Sequence, residues 1–345
     1  MVNGITLAEI AALVHGEAKG DPSVVITSVM PPEKYFQGSI SPLWEKKYIS
    51  CVKPGTVLFT NRGWIRDGES GVEADDPRIS LIALLSFFDE KNKPHNGVSS
   101  HAFVADDARI ADNVSVADGA VIKSGVKVGR GSVIMENAVI CEDTEIGENC
   151  IIEPGVVIYK NTKIGNKCVL HANCVIGCEG FGFVPSPEHG MVKIPQIGIV
   201  RLDDGVEVGA CSSVDRATFG ETHIGCNTKI DSHVKIGHNC EVGGYTIIVA
   251  QSGLAGSSKV GSRVIMGAQS GVGNHATIGD GCTIAGRSGV SSDVPAKSVF
   301  SGFPAREHRR DLREQASIRY LPELIQQVKN ISRKFEETEK KYADD

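Results

Sequence analysis

The chain is expected to be a mainly β protein whose bulk is a parallel β-helix of hexapeptide repeats, with a small α/β domain before it and a helical extension after it. Three observations point there. One aliphatic residue recurs every six positions from Val104 through Ile110, Val116 and Ile122 to Ile176, and again from Ile224 through Ile230, Ile236 and Val242 to Val290. A small or β-branched residue stands two positions before each, as at Ala102, Ala108 and Ala120, and later at Cys240, Thr246 and Ser252. Glycine directly follows many of the aliphatics, as at Gly129, Gly147, Gly209, Gly237 and Gly273. A helix repeats near 3.6 residues and a strand at 2, so six suits only a coil built from short flat segments. The glycines read as turn residues, where a missing Cβ permits backbone angles that other residues avoid.

Residues 1–98 carry no hexad. Thr6-Leu7-Ala8-Glu9 reads as a capping box opening a short helix that stops at Gly16. Helix-like pieces (Leu7 to Val14, Ile79 to Phe88) alternate with strand-like ones (Val24 to Val29, Thr56 to Thr60), which gives a small α/β domain. The hexad spans 99–303, where three six-residue sides make an 18-residue coil and nine or ten coils fit. Inward aliphatics stack coil on coil, so stability is nearly a sum over neighbours. After 304 the pattern turns helical, with Pro322 placed to begin a second helix and with Leu321, Leu324, Ile325, Val328, Ile331 and Phe335 forming an apolar stripe. That stripe suits a bundle or a cover for the last coil.

A formal charge of -6 on 345 residues, with no long basic run, argues against a nucleic-acid partner. No stretch approaches the roughly 20 apolar residues of a transmembrane segment. The N-terminus lacks the features of a signal peptide, so a cytoplasmic location is expected. Of the ten cysteines, Cys150, Cys168, Cys174, Cys240 and Cys282 fill the small-residue slot and read as buried, reduced thiols.

The phase slips twice. From Ile176 to Leu202 the step is 26 rather than 24, across Gly180-Phe181-Gly182-Phe183 and Lys193-Ile194-Pro195-Gln196; from Val214 to Ile224 it is ten, across Asp215-Arg216-Ala217-Thr218. A stiff coil accepts an extra loop only at a corner, and such loops carry function. The first excursion therefore reads as a ligand-contacting loop, with Phe181, Phe183 and Gln196 as its contacts.

A solenoid has almost no pocket of its own, and a triangular prism suits a threefold assembly; a homotrimer with sites between subunits is expected. His238 follows the inward Ile236 and Gly237, so its ring should leave the core, with Asn239 beside it as a substrate contact. His275 comes after Val272, and the two aliphatics are 36 apart, or two full coils. Both histidines then share one edge, their backbones roughly 10 Å apart at strand spacing. Asp231, one side earlier, is a plausible carboxylate to orient the His238 ring. His171, His223 and His233 read as structural or solvated. An imidazole suits removal of a proton from an attacking amine or hydroxyl near neutral pH, and a second one could donate to a developing oxyanion. No Gly-x-Ser-x-Gly elbow or Cys–His pair appears, so direct acyl transfer is favoured over a covalent intermediate. His233 and His238 have the five-residue spacing of the γ-class carbonic anhydrases, but no third histidine falls one or two coils before them for zinc.

The ordered series Gly180-Phe181-Gly182-Phe183, Lys193-Ile194-Pro195-Gln196-Ile197-Gly198, Val214-Asp215-Arg216, Lys229-Ile230-Asp231, Ile236-Gly237-His238-Asn239, Gln251-Ser252-Gly253-Leu254-Ala255-Gly256-Ser257 and Gly273-Asn274-His275 closely resembles the UDP-3-O-acylglucosamine N-acyltransferases of lipid A biosynthesis. The resemblance covers nearly the whole chain and implies a left-handed β-helix. It implies transfer of a 3-hydroxyacyl chain from the phosphopantetheine of acyl carrier protein to the 2-amine of UDP-3-O-acyl-glucosamine, with no metal or other cofactor. His238 matches the family's general base, His275 its second active-site histidine and Asp231 the aspartate that assists the base. The family holds uracil in its N-terminal domain by aromatic stacking. Tyr48 matches one such aromatic, Pro42 and Glu45 depart from the family's phenylalanine and asparagine, and Trp44 fits either a stacking surface or a core position. Gly289 falls near the residue that limits acyl-chain depth, and a side chain this small leaves a longer groove. The basic cluster of Arg306, His308, Arg309, Arg310 and Arg313 matches the helical region where the acidic carrier protein docks. The alternatives are an O-acyl- or acetyltransferase on the same scaffold, a zinc carbonic anhydrase, or a non-catalytic scaffold.

Overall fold

The structure is a computed structural model that describes residues 4–89, 97–302 and 308–343, apart from the side chains of 51, 308–312, 315 and 337–343. The chain forms two compact units, Met1–Pro94 and His95–Asp345. In the first, the Thr6 hydroxyl accepts from the Glu9 N–H while the Glu9 carboxylate takes the Thr6 N–H, closing the capping box on α1 (Leu7–Leu13). Asp76 caps α2 (Pro77–Phe88) by accepting from the N–H groups of Arg78 (3.1 Å) and Ile79 (3.3 Å), with Pro77 in the first turn, where its missing N–H costs nothing. These helices bury Leu7, Ile10 and Leu84 with Ile40, Phe59 and Val72 from a five-stranded sheet.

The second unit is a left-handed parallel β-helix. Two-residue strands alternate with tight turns and line up into three sheets of ten, ten and nine strands, which are the faces of a prism. Register is fixed at one coil: Val121 pairs with Val139 and Ile122 with Ile140, each 18 residues on. From Ser115–Val116 to Gly289–Val290, apart from the hairpin, the second residue of each strand points inward and is buried. Burying such an aliphatic is worth about 1.5–3 kcal/mol, and a one-residue slip would expose the entire column, so the period enforces the register. In the slot two positions earlier, buried hydroxyls and thiols return a hydrogen bond to the next coil, as from Ser252 Oγ to the Gly267 carbonyl (3.1 Å).

The glycines serve another purpose than the one their position suggested. A Cβ on Gly209 would stand 2.4 Å from the Asp231 carbonyl carbon, and one on Gly129 would stand 2.5 Å from that of Gly147. Glycine is required because successive coils nearly touch there. The left-handed backbone angle falls two residues later and is taken mostly by asparagine and other side-chain-bearing residues, including Asn137 (φ 58°), Asn173 (φ 59°) and Asn239 (φ 59°).

The C-terminal region also differs from expectation. Pro322 lies inside one continuous helix, α3 (His308–Ala343), rather than at the start of a second. A proline deletes one rung of the ladder, which a helix of 36 residues survives. Its apolar stripe is exposed from Ile318 to Phe335. Among the described residues no helix is long and apolar enough to cross a membrane.

Candidate active site

Both interruptions of the hexad end at the same histidine. The first leaves the prism after Val175–Cys178 and runs out as an antiparallel hairpin, Phe183–Ser186 against Gly190–Lys193, with Glu179 and Lys193 paired at its base. It returns through Gln196 and is laced to the second interruption by the Ile197 N–H to the Thr218 carbonyl and the Gly198 N–H to the Ala217 carbonyl (both 2.9 Å). Thr218 Oγ1 donates to Gln196 Oε1 (2.9 Å) and lies 3.5 Å from Nδ1 of His238. Gln196 is thus buried and braces the loop from within; its Nε2 donates to the Ile194 carbonyl (3.0 Å). Phe181 and Phe183 stand outside as an exposed edge-on pair, ring centroids 5.0 Å apart.

Half-buried His238 sits at the corner after the strand Lys235–Ile236. Its Nδ1 lies 3.1 Å from Asn239 Oδ1. Two glycines crowd it: a Cβ on Gly180 would be 2.7 Å from the His238 Cβ, and one on Gly256 would be 2.5 Å from Nε2. His275 occupies the same edge two coils on, since the Ser257 N–H donates to the His238 carbonyl (2.8 Å) and the His275 N–H to the Gly256 carbonyl (3.4 Å). His275 is exposed, in the left-handed turn position (φ 58°).

Asp231 is not brought to His238 within one chain. It stands at the preceding corner, where its carboxylate accepts from the N–H groups of Ser232 (2.7 Å) and Ala250 (3.1 Å). Six residues make one side of a coil, so a carboxylate seven before His238 falls on the neighbouring edge. His233 shares that earlier corner, and among the described residues no group of three metal-ligating side chains is assembled. Asp231 borders a cavity of about 600 Å³ with Glu153, His171, Glu207 and Lys229.

His171 there lies between Glu153 (3.1 Å) and Glu207 (2.9 Å). Burial opposes its charge, but the Glu207 hydrogen bond and the Glu153 carboxylate outweigh it and raise its pKa above the ordinary 6.5. A raised folded-state pKa stabilises the fold fully below the unfolded value, and that gain is lost as pH rises through the folded value. Hence the thermal midpoint of wild type should exceed that of His171→Gln most below about pH 6.5, with the gap closing at higher pH; a gap independent of pH would refute it.

Arg216 anchors the corner from which the hairpin departs. Its buried guanidinium donates from Nε to the Gly177 carbonyl (2.7 Å) and from Nη2 to that of Lys160 (3.1 Å), 5.9 Å from the Tyr159 ring centroid. Arg216→Ala should cost about 3 kcal/mol in urea denaturation, and lysine should recover little of it because one ammonium cannot reproduce the fork. Cys178 donates to the buried Asp215 (3.1 Å). Burial, then Asp215, pushes its thiol up to about 12, and burial does the same to Cys174, so neither offers a thiolate nucleophile.

In the first unit Trp44 is half-buried and Tyr48 exposed. A cavity of about 870 Å³ is lined instead by Tyr35, Ile49, Lys53, Trp64, Arg66 and Glu69, among others, with Lys46 Nζ 5.8 Å from the Trp64 ring centroid. Trp44 and Tyr48 lie outside that lining. Arg313 is exposed on α3, while Arg306 and the side chains of Arg309 and Arg310 lie outside the described residues.

The bacterial transferase hexapeptide family (six repeats) matches residues 143–178. Over nearly the full length the chain is 43% identical to UDP-3-O-acylglucosamine N-acyltransferase 1 of Gloeobacter violaceus, covering 96% of each. It is 48% identical to the UDP-3-O-acylglucosamine N-acyltransferase of Myxococcus xanthus, covering 97% of this chain and 98% of that one. The chain belongs to the UDP-3-O-acylglucosamine N-acyltransferase family. The solved structure of an Arabidopsis UDP-N-acetylglucosamine acyltransferase is similar over 60% of this chain and 71% of its own, with 27% identity and a TM-score of 0.54. Two residues of this family member's candidate site went unnoticed in the sequence. Thr218 was visible only as part of a phase slip, and Gly256 only as one more small residue in Gln251–Ser257.

Proposed function

We propose that this chain is an N-acyltransferase that moves a 3-hydroxyacyl group from the phosphopantetheine thioester of acyl carrier protein to the 2-amine of UDP-3-O-acyl-glucosamine. Identity of 43% and 48% over nearly the full length to acyltransferases named for UDP-3-O-acylglucosamine supports the acceptor. The observation that carries the chemistry is His238: Nδ1 is engaged by its neighbours and Nε2 lies over a glycine at the meeting point of both inserted segments. The 2-amine attacks the thioester carbonyl as Nε2 accepts its proton. The C–N bond forms, the C–S bond breaks, and the imidazolium returns a proton to the departing thiolate. His275, on the same edge, is placed to serve the developing oxyanion.

The protein acts as a cytoplasmic homotrimer without a metal. Outward residues of one face are mostly charged or polar, including Lys127, Glu145, Lys163, Arg201, Glu241 and Lys259, while the other two carry Val121, Val139, Val157, Ile151, Ile247 and Ile265. One water-facing side and two less polar ones suit a prism packed about a threefold axis. Gly253, Gly271 and Gly289 leave open space on the face that leads to the His238 corner, which supports an acyl groove there. The first unit holds the uridine, with Tyr48 and Trp44 or the nearby Tyr35–Trp64 cavity as its contacts. Arg306, Arg309, Arg310 and Arg313 receive the carrier protein.

The test is turnover of purified protein with 3-hydroxyacyl-acyl carrier protein and either of two acceptors. Amide formation on UDP-3-O-acyl-glucosamine is expected. Ester formation on UDP-N-acetylglucosamine instead would overturn the assignment in favour of an O-acyltransferase.

A further inference from the structure

Asn239 is held from two directions. Its Oδ1 accepts from the Thr218 N–H (2.9 Å) and its Nδ2 donates to the Phe219 carbonyl (3.0 Å). Exchanging oxygen and nitrogen would set donor against donor and acceptor against acceptor, so the amide has one orientation. The oxygen fixed in this way lies 3.1 Å from Nδ1 of His238. An amide oxygen only accepts, so Nδ1 must carry a hydrogen. The other neighbour of Nδ1 is Thr218 Oγ1 at 3.5 Å, whose own hydrogen is committed to Gln196. Nδ1 therefore faces two acceptors and no donor.

We infer that Asn239 is a positioning residue: it holds neutral His238 as the Nδ1–H tautomer and so assigns the proton-accepting lone pair to Nε2, the nitrogen above Gly256. The inference rests on the reading of His238 as the general base. An uncharged partner does this without the cost a carboxylate would add. Asp or Glu against Nδ1 would favour the imidazolium and occupy the base with a proton at neutral pH, whereas an amide orders the ring without placing a negative charge beside it. The sequence suggested a carboxylate in this role, Asp231, but within one chain the group on Nδ1 is an amide.

The test is the pH dependence of kcat/KM for wild type, Asn239→Asp, Asn239→Gly and His238→Ala, assayed with the acyl carrier protein donor and the UDP-linked amine. Asn239 has φ 59°, a left-handed conformation that glycine takes without strain and aspartate tolerates, so both variants keep the turn. The aspartate should move the acid limb up by about one pH unit or more, with turnover recovered above it. The glycine should lower kcat roughly tenfold or more through the wrong tautomer while KM for the sugar stays put. An acid limb for Asn239→Asp that overlays wild type, with His238→Ala inactive, would overturn the inference and leave the base intact. Full turnover by His238→Ala would remove the base reading itself. Imidazole nitrogen chemical shifts of the wild-type protein give an answer independent of the variants: a protonated Nε2 and bare Nδ1 on His238 would refute it.

Discussion

Replacing His238 with alanine is expected to lower turnover by about 10²–10⁴-fold without unfolding the protein. The residue sits at a corner of the β-helix with its ring outside the aliphatic column, so its loss opens no cavity in the core. Its ring interactions, with Asn239 and Thr218, order the imidazole and leave Nε2 unspent. A side chain placed for stability would use both nitrogens, as His171 does between Glu153 and Glu207. Removing the base should therefore lower kcat far more than it raises KM for the sugar, because the proton is accepted only as the amine attacks. The check is steady-state kinetics beside thermal unfolding. A midpoint near wild type with lost turnover supports the role. Unchanged turnover would return the chain to the scaffold reading or move the chemistry elsewhere.

The two halves of this site were unequally legible in the sequence. The β-helix is readable because each side of each coil makes the same demand: one inward aliphatic and one small neighbour, often with a glycine after the aliphatic. The shared edge of His238 and His275 followed from the same arithmetic, since two coils separate Ile236 from Val272. Arithmetic also exposed its own limit at Asp231, where six residues of separation between aliphatics meant the next corner rather than the next atom. What no period encodes is where an excursion returns. The slips at Ile176–Leu202 and Val214–Ile224 announced two loops, but that Gln196 and Thr218 meet each other and then His238 depends on the hairpin folding back on the second slip. Glycine misled in a subtler way. The hexad glycines signalled a turn, but they answer the close approach of neighbouring coils, and the left-handed angle belongs to residues such as Asn239. By local rule Pro322 begins a helix, but the long α3 runs through it.

Gly256→Ala should lower kcat by about 10–100-fold while leaving stability close to wild type. The added methyl would stand 2.5 Å from Nε2, 2.7 Å from Cε1 and 3.0 Å from Cδ2 of His238, well inside contact distance. The three atoms nearest the added methyl all belong to the His238 ring, and the φ of Gly256 lies outside the left-handed region, so the backbone accepts alanine there. The coils cannot part to make room, because the Ser257 N–H is bonded to the His238 carbonyl at 2.8 Å and a chain of such bonds runs along the whole corner. The ring must turn instead. Turning it breaks the alignment of Nδ1 with Asn239, and Gly180 also crowds the side chain, since a Cβ there would lie 2.7 Å from that of His238. A displacement on the order of an ångström at the proton-accepting nitrogen can cost a factor of about 10². The substitution leaves every residue of the inward column unchanged, so unfolding by heat or urea should barely change. Wild-type kcat in Gly256→Ala would mean that the imidazole has room the structure does not show, and that Nε2 is not held where the transfer needs it.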